Sequence, residues 1–234
     1  MQIFKALSDI KALSFDLDDT LYDNKPIIEA AEQAMLSALL KHAPASKGRD
    51  SNFWWQHRLK LAKVEPELRH DIGRWRLLGI EAGLVELGIA RNEAKKVAQQ
   101  GYDAFLDART RISLTAEVNE LLTALAERYQ LIAITNGNAC INKMGLGEVF
   151  EFSLQAGPGG KMKPYPDMFQ AAAERLKLAP AQILHIGDSH RADVMGALAA
   201  GCQAAWLDHH RQPVSILPHI RLTDVRQLGA LITA

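Results

Sequence analysis

Cysteine is nearly missing from this chain: 234 residues contain two, Cys140 and Cys202, and no CxxC. That argues against a disulfide framework and a cysteine-held zinc site, and for free thiols in a reducing compartment. Net charge is missing too, with 27 Lys and Arg against 27 Asp and Glu and a pI near 7.1. No overall field gathers nucleic acid or an anionic membrane, although a local basic pocket for a phosphate remains allowed. No window is apolar for long enough to span a bilayer, and residues 1–9 lack the apolar stretch of a signal peptide. Repeats and low-complexity segments are absent. A cytoplasmic protein is expected, without nucleic-acid or membrane partners and with its oligomeric state unspecified. With 48% hydrophobic residues, the chain can bury one large core, or a core domain and a smaller one.

What is present changes character along the chain. Ile10–Leu17 is almost continuously apolar, as suits a parallel strand covered on both faces. From Pro26 to Leu40 apolar residues recur at helical spacing, with Pro26 suited to a first turn. Helical patterning continues through 53–64, 66–87 and 91–106 with no convincing strand. Beyond Thr115, a plausible helix cap, strand and helix alternate. Helix 116–129 precedes strand 131–134 and a weaker strand 152–154. Helix 167–176, strand 183–186, helix 192–200 and a last clear strand 203–207 follow. Such alternation implies right-handed crossovers and a parallel sheet with helices on both faces. The expected fold is α/β: a Rossmann-like parallel-sheet core, residues 1–22 and 112–234, carrying an inserted all-helical domain, residues 23–111.

The run Ser14-Phe15-Asp16-Leu17-Asp18-Asp19-Thr20-Leu21 puts three carboxylates within four residues at the end of the first strand. Carboxylates repel one another and resist burial, so such a cluster is expected to hold a cation or do chemistry. In an alternating strand Asp16 and Asp18 point the same way. Three more pieces fall at strand ends or nearby: Thr135-Asn136-Gly137, Lys163-Pro164, and the segment from Gly187 and Asp188 to Asp193. Ligands of open parallel sheets bind at those ends. Acids, a hydroxyl, backbone N–H groups and a cation are the set that phosphoryl transfer needs. A calcium-binding EF-hand starting at Asp16 would need Gly and Glu where the chain has Leu21 and Ile27.

In order and spacing these four pieces resemble the four motifs of the haloacid dehalogenase-like (HAD) hydrolase superfamily. The resemblance implies that Asp16 is a nucleophile forming an aspartyl-phosphate, and that Asp18 is the general acid/base. It further implies a Mg²⁺ ion held by Asp16, Asp188 and the backbone carbonyl of Asp18, with Asp193 a more distal partner. Asp16 would then be ionised and Asp18 neutral, a split that a cation on Asp16 favours. Thr135, Asn136 and Gly137 would hold phosphoryl oxygens, and Lys163 would neutralise the nucleophile. Lys161 is the alternative, but Pro164 favours Lys163. Asp19 is expected to cap the turn, and Thr20 to order the loop or join the ligands. His185 and His190 are expected to be structural, while His209-His210 has no assigned part. Asp18 favours phosphate esters, because a halide leaving group needs no acid.

The same resemblance makes the helical insertion a cap that selects substrate, hinged at Tyr22–Lys25 and Ala108–Ile112. Within it, His70-Asp71-Ile72-Gly73-Arg74-Trp75-Arg76 is unusual. Read as one helix, it puts His70 beside Arg74 and Asp71 beside Trp75. Arg74 and Arg76, with Asn138 of the core, are the candidate substrate contacts. The alternative is a salt-bridged surface with Trp75 in the cap core, where Phe53-Trp54-Trp55 also belongs. Residues 14–24, 70–76, 133–138 and 151–158 resemble a bacterial subgroup, the YigB-type phosphatases of riboflavin biosynthesis. That implies a small phosphate ester as partner, 5-amino-6-(5-phospho-D-ribitylamino)uracil or FMN. The alternatives are a broad sugar-phosphate or nucleotide phosphatase and a non-catalytic phospho-binding regulator.

Overall fold

A computed structural model of the chain describes residues 1–209, 214 and 216–233, so His210 lies outside the described residues. The chain divides into two compact units, Met1–Asp23 with Ser113–Ala234, and Asn24–Ile112.

The first unit is built on a seven-stranded sheet: β1 (Gln2–Ile3), β2 (Ala12–Phe15), β3 (Gln130–Thr135), β4 (Phe152–Gln155), β5 (Ile183–Gly187), β6 (Gln203–Leu207) and β7 (Ile220–Leu222). The spatial order is β1-β7-β6-β5-β2-β3-β4, parallel throughout except where β1 meets β7. Strand β2 is central and buried at every position, which explains its unbroken apolar run. Phe15 lies opposite Ala133 of β3 and Ile186 of β5, so the three strands end side by side. The chemically distinctive segments leave the sheet at those neighbouring ends. The helices of this unit are α5 (Ala116–Ala126), α6 (Asp167–Leu176), α7 (Gly196–Ala199) and α8 (Ala230–Thr233). Thr115 does cap α5, its hydroxyl accepting from the Val118 N–H at 3.4 Å.

Strands β1 and β7 are additions to the sequence-based reading, which ended at 203–207. Two and three residues are too short to display a period, and only pairing defines them. The single helix expected over 192–200 is two elements: a π-turn over His190–Met195, then α7. The wide turn accompanies an Asp193 side chain drawn inward, described below.

The second unit is helical, comprising α1 (Lys25–His42), α2 (Ser51–Val64), α3 (Ile72–Glu86) and α4 (Arg91–Arg109). Met35, Leu39, Trp54, Ile80, Leu84 and Phe105 are among its buried core. The helix expected over 66–87 breaks at Asp71. Residues Pro66–His70 form a 3₁₀ turn, and the Asp71 carboxylate caps α3 by accepting from the Arg74 N–H at 2.9 Å. The expected pairing of His70 with Arg74 along one helix therefore does not exist. Trp75 is buried as expected, whereas Trp55 is 40% exposed and leaves the predicted Phe53-Trp54-Trp55 core. Cys140 and Cys202 are free thiols. No helix among the described residues is long and apolar enough to cross a membrane.

Phe15 is fully buried and meets Phe150 edge to face at 5.8 Å. Phe15→Ala is expected to cost about 3–5 kcal/mol of stability, seen as a lower denaturant midpoint with an unchanged slope.

Candidate active site

Every core segment singled out by motif lines one cavity of about 230 Å³: Asp16, Asp18 and Asp19; Thr135, Asn136 and Gly137; Lys163; Asp188, Ser189 and Asp193. Asn138, half-buried, does not line it. At the centre lies the Lys163 ammonium, 2% exposed for the whole residue. It donates to Asp16 Oδ1 at 2.7 Å and to the Ile134 carbonyl at 2.6 Å, and it pairs with Asp193 Oδ1 at 2.7 Å. Three donors thus meet three acceptors, which is what burial of an ammonium demands. The Asn136 side chain fixes the Lys163 backbone from both sides: its Nδ2 donates to the carbonyl at 2.9 Å, and its Oδ1 accepts from the N–H at 2.7 Å. Lys161 lies instead over the Tyr165 ring, 5.4 Å from its centroid.

Behind this centre runs a chain of fully buried groups. Asp193 Oδ1 also lies 3.1 Å from His185 Nε2, and Ser14 Oγ lies 2.5 Å from His185 Nδ1. An ionised Asp193 can only accept, so His185 donates from Nε2 and accepts the hydrogen bond of the Ser14 hydroxyl at Nδ1. Burial and the Lys163 charge hold this imidazole below its ordinary pKa, which agrees with the neutral tautomer. Asp193 Oδ2 accepts from the Ser189 N–H at 2.8 Å. A Cβ at Gly187 would fall 2.2 Å from Asp193 Cγ, so only glycine admits the carboxylate here. Burial alone would raise the Asp193 pKa; Lys163 and His185 outweigh it and hold the group below the usual carboxylate range.

The other acids differ. Burial foremost, with Asp193 nearby, pushes Asp16 up to about 7 against the pull of Lys163. Burial and the charges of Asp193 and Asp19 push Asp188 up to about 6. Asp18 accepts a hydrogen bond from the Tyr22 hydroxyl and packs against Gly137, where a Cβ would fall 2.3 Å from its Oδ2. The Gly137 N–H donates to Thr135 Oγ1 at 2.9 Å. The Thr20 hydroxyl lies 3.4 Å from Asp188 Oδ1, and Asp19 occupies the left-handed region with φ 57°. Asp16, Asp188 and Asp193 bring one carboxylate oxygen each within 4.8 Å of one another. Such an oxygen-only set suits a hard divalent cation. Because Asp193 is already committed to Lys163, His185 and Ser189, Asp16 and Asp188 are the side chains that could hold it.

A family model described as haloacid dehalogenase-like hydrolase matches residues 10–201. The chain belongs to the haloacid dehalogenase-like hydrolase family. Among its relatives, this hydrolase is 37% identical to 5-amino-6-(5-phospho-D-ribitylamino)uracil phosphatase YigB of Escherichia coli (strain K12), over 99% of this chain and 100% of that one. Phosphoserine phosphatase of Thermus thermophilus is 27% identical, over 94% of this chain and 98% of its own. The crystal structure of 2-haloacid dehalogenase from Pseudomonas syringae pv. Tomato DC3000 is similar with a TM-score of 0.90 and 32% identity, covering 96% of this chain and 98% of that one.

Some neighbours of the hydrolase site had no assigned part in the sequence. Ser14 is one; Trp206, whose indole N–H donates to the Asp188 carbonyl at 2.8 Å, is another; Tyr22, expected only as the start of a hinge, bonds Asp18. None carries a local signal, because each acts on a residue distant in sequence or around a turn. His190 stands against the Trp206 ring at 4.9 Å, and His209 Nε2 lies 2.8 Å from the Asp19 carbonyl oxygen. In the helical unit, Arg74 is exposed and paired with Glu65 at 3.1 Å. Arg76 pairs with Glu32 and lies 3.8 Å from the Phe105 ring centroid.

The Asp16 shift has a consequence for folding. The folded carboxyl keeps its proton to about pH 7 where the unfolded one releases it near 3.8, so stability falls as pH rises across that window. Asp16→Asn does not titrate. In metal-free buffer its stability relative to the parent chain is expected to rise by roughly 2–4 kcal/mol from acid to neutral pH, then level off. Denaturant titrations from about pH 4 to 8 read this directly; an opposite slope removes burial as the ruling effect.

Proposed function

We propose that this hydrolase is a Mg²⁺-dependent phosphatase that cleaves a phosphate monoester through an aspartyl-phosphate on Asp16. The supporting observation is the buried Asp16–Lys163–Asp193 cluster: two carboxylates around one ammonium, with Asp188 close by, leave an excess of negative charge. Asp16 and Asp188 would hold Mg²⁺, which would supply the missing positive charge, keep Asp16 ionised and offset charge on the phosphoryl oxygens.

The residues then divide the work. An Asp16 carboxylate oxygen attacks phosphorus in line, and the bond to the leaving oxygen breaks. Asp18 gives that alkoxide its proton, then takes one from the water that hydrolyses the acyl phosphate and regenerates Asp16. Thr135, Asn136 and Gly137 offer hydroxyl and backbone N–H groups to the equatorial oxygens. Lys163, held by three acceptors, keeps a fixed positive charge beside the attacking oxygen. The helical unit Asn24–Ile112 is read as the cap that selects the ester, with Arg74, Arg76 and Asn138 as candidate substrate contacts, and the cytoplasm as the compartment.

Full-length similarity to YigB favours a phosphorylated ribityl pyrimidine as substrate, and FMN, a phosphorylated ribityl compound too, is the other candidate that the motif resemblance implies. The similar haloacid dehalogenase raises a second reading. Asp18 argues against it, since a departing halide needs no proton.

Purified protein with Mg²⁺ is expected to release phosphate from p-nitrophenyl phosphate and, faster, from FMN or the ribitylaminouracil ester; a chelator should stop it. Chloride release from a 2-chloro acid without phosphatase activity would reverse the choice. Phosphate binding without turnover would make the protein a regulator. Asp16→Asn should abolish turnover, and Asp18→Asn should reduce it far more than tenfold. A loss within tenfold, about 1.4 kcal/mol of barrier, contradicts the acid/base role.

A cation must displace the protons of Asp16 and Asp188, held to about pH 7 and 6. Mg²⁺ affinity measured by calorimetry is therefore expected to weaken steadily as pH falls from 8 to 5.5, about tenfold per unit where one proton is displaced. A constant affinity would contradict that assignment of ligands.

A further inference from the structure

A cavity of about 300 Å³ lies wholly within the helical unit, its wall more apolar than polar. Glu32, Ser51, Trp54, Trp55, Arg58 and Arg76 are among the residues that line it. Arg58 is only 9% exposed, and its guanidinium lies 4.8 Å from the ring centroid of Trp55 and 4.4 Å from that of Trp75. It makes no hydrogen bond or ion pair among the described residues, and its Nε is buried without an acceptor. Trp54, 2% exposed, has an indole N–H in the same condition.

The neighbouring acid does not answer this need. Glu32 gives one oxygen to Arg76 and accepts from the Ser51 hydroxyl on the other at 3.1 Å. Burial and the Arg76 charge bring the Arg58 guanidinium down to about 9, with Glu32 opposing weakly. The backbone is shaped to admit both side chains. A Cβ at Gly79 would fall 2.3 Å from Arg58 Cγ, and one at Gly83 would fall 2.7 Å from the Trp54 ring. Those glycines lie one turn apart on the same face of α3. A buried charge without a counter-charge costs far more than a hydrocarbon of the same size. Two arginines against one glutamate leave one positive charge in the cavity wall.

We propose that this cavity binds a small oxyanion, a phosphate or carboxylate group, on the Arg58 guanidinium, with the Trp54 indole N–H as the second unmet donor in its wall. None of these groups belongs to the Asp16 cluster, so this site and the phosphatase reading stand or fall separately. FMN and the ribitylaminouracil ester carry no oxyanion besides the phosphate to be cleaved. Under that reading the occupant is a separate small anion.

Tryptophan fluorescence tests it, because Trp55 and Trp75 lie against Arg58, Trp54 lines the same cavity, and only Trp206 lies in the other unit. Metal-free protein titrated with inorganic phosphate is expected to give a saturable change, kept in Asp16→Asn and weakened at least about tenfold in Arg58→Met. Should Arg58→Met fail to fold, Trp54→Phe keeps the ring and removes one donor; weakening of about threefold or more is expected. Three results overturn the proposal. They are no saturable change up to roughly 0.1 M phosphate, equal binding after the Arg58 or Trp54 substitution, or loss of the signal in Asp16→Asn. Kinetics separate the sources of the anion. A KM raised for phosphoglycolate but not for p-nitrophenyl phosphate in Arg58→Met makes the oxyanion the far end of a substrate. Equal KM values, with phosphate binding lost, make it a separate metabolite.

Discussion

The fold turns on a single buried ammonium. Lys163 joins the ends of three separate stretches of chain: Asp16 after β2, Ile134 near the end of β3, and Asp193 beyond β5. Removing a charged nitrogen from water is costly, and it is tolerated here because each N–H has an acceptor and one of them, Asp193, is held as a carboxylate. Without that nitrogen, an ionised Asp16 would face Asp193 across the interior as an unscreened like charge. The parallel sheet makes the meeting possible. The register of β2 with β3 and β5 delivers all three strand ends to one edge, where side chains can converge without distorting the ladder.

Charge excess explains why the same group of residues suits chemistry. One ammonium cannot balance Asp16, Asp188 and Asp193, and the protein distributes the deficit unevenly. Asp193 takes the hydrogen bonds of Lys163, His185 and Ser189 and stays ionised. Asp16 and Asp188, less well supplied, have raised affinity for protons and therefore a place for a divalent cation. Strength of support thus separates an acid that organises the site from acids that act in it. The helical unit repeats the theme with opposite sign, where Arg58 is buried against two adjoining indole rings and has no ion-pair partner among the described residues.

The sheet core was legible because its signals are local. The apolar run before Asp16, the Pro after Lys163 and the acids after Ile186 are each readable within a few residues, and all line one cavity. The π-turn at His190–Met195 was hidden because it answers to Asp193 reaching back to Lys163 and Ser189. The helix break at Asp71 was hidden because a capping aspartate looks like any polar residue until its N–H partner is placed. Strand β7 was hidden because three residues show no period.

The order of residues alone determined the kinds of group present, the strands that carry them and the family to which they belong, since periodicity and motif spacing act over short distances. Tertiary structure decided which carboxylate is shared, which is strained toward its proton, and that His185 is a neutral link between Ser14 and Asp193. Those properties depend on burial and on partners up to 171 residues away, and no local pattern encodes the distance between them.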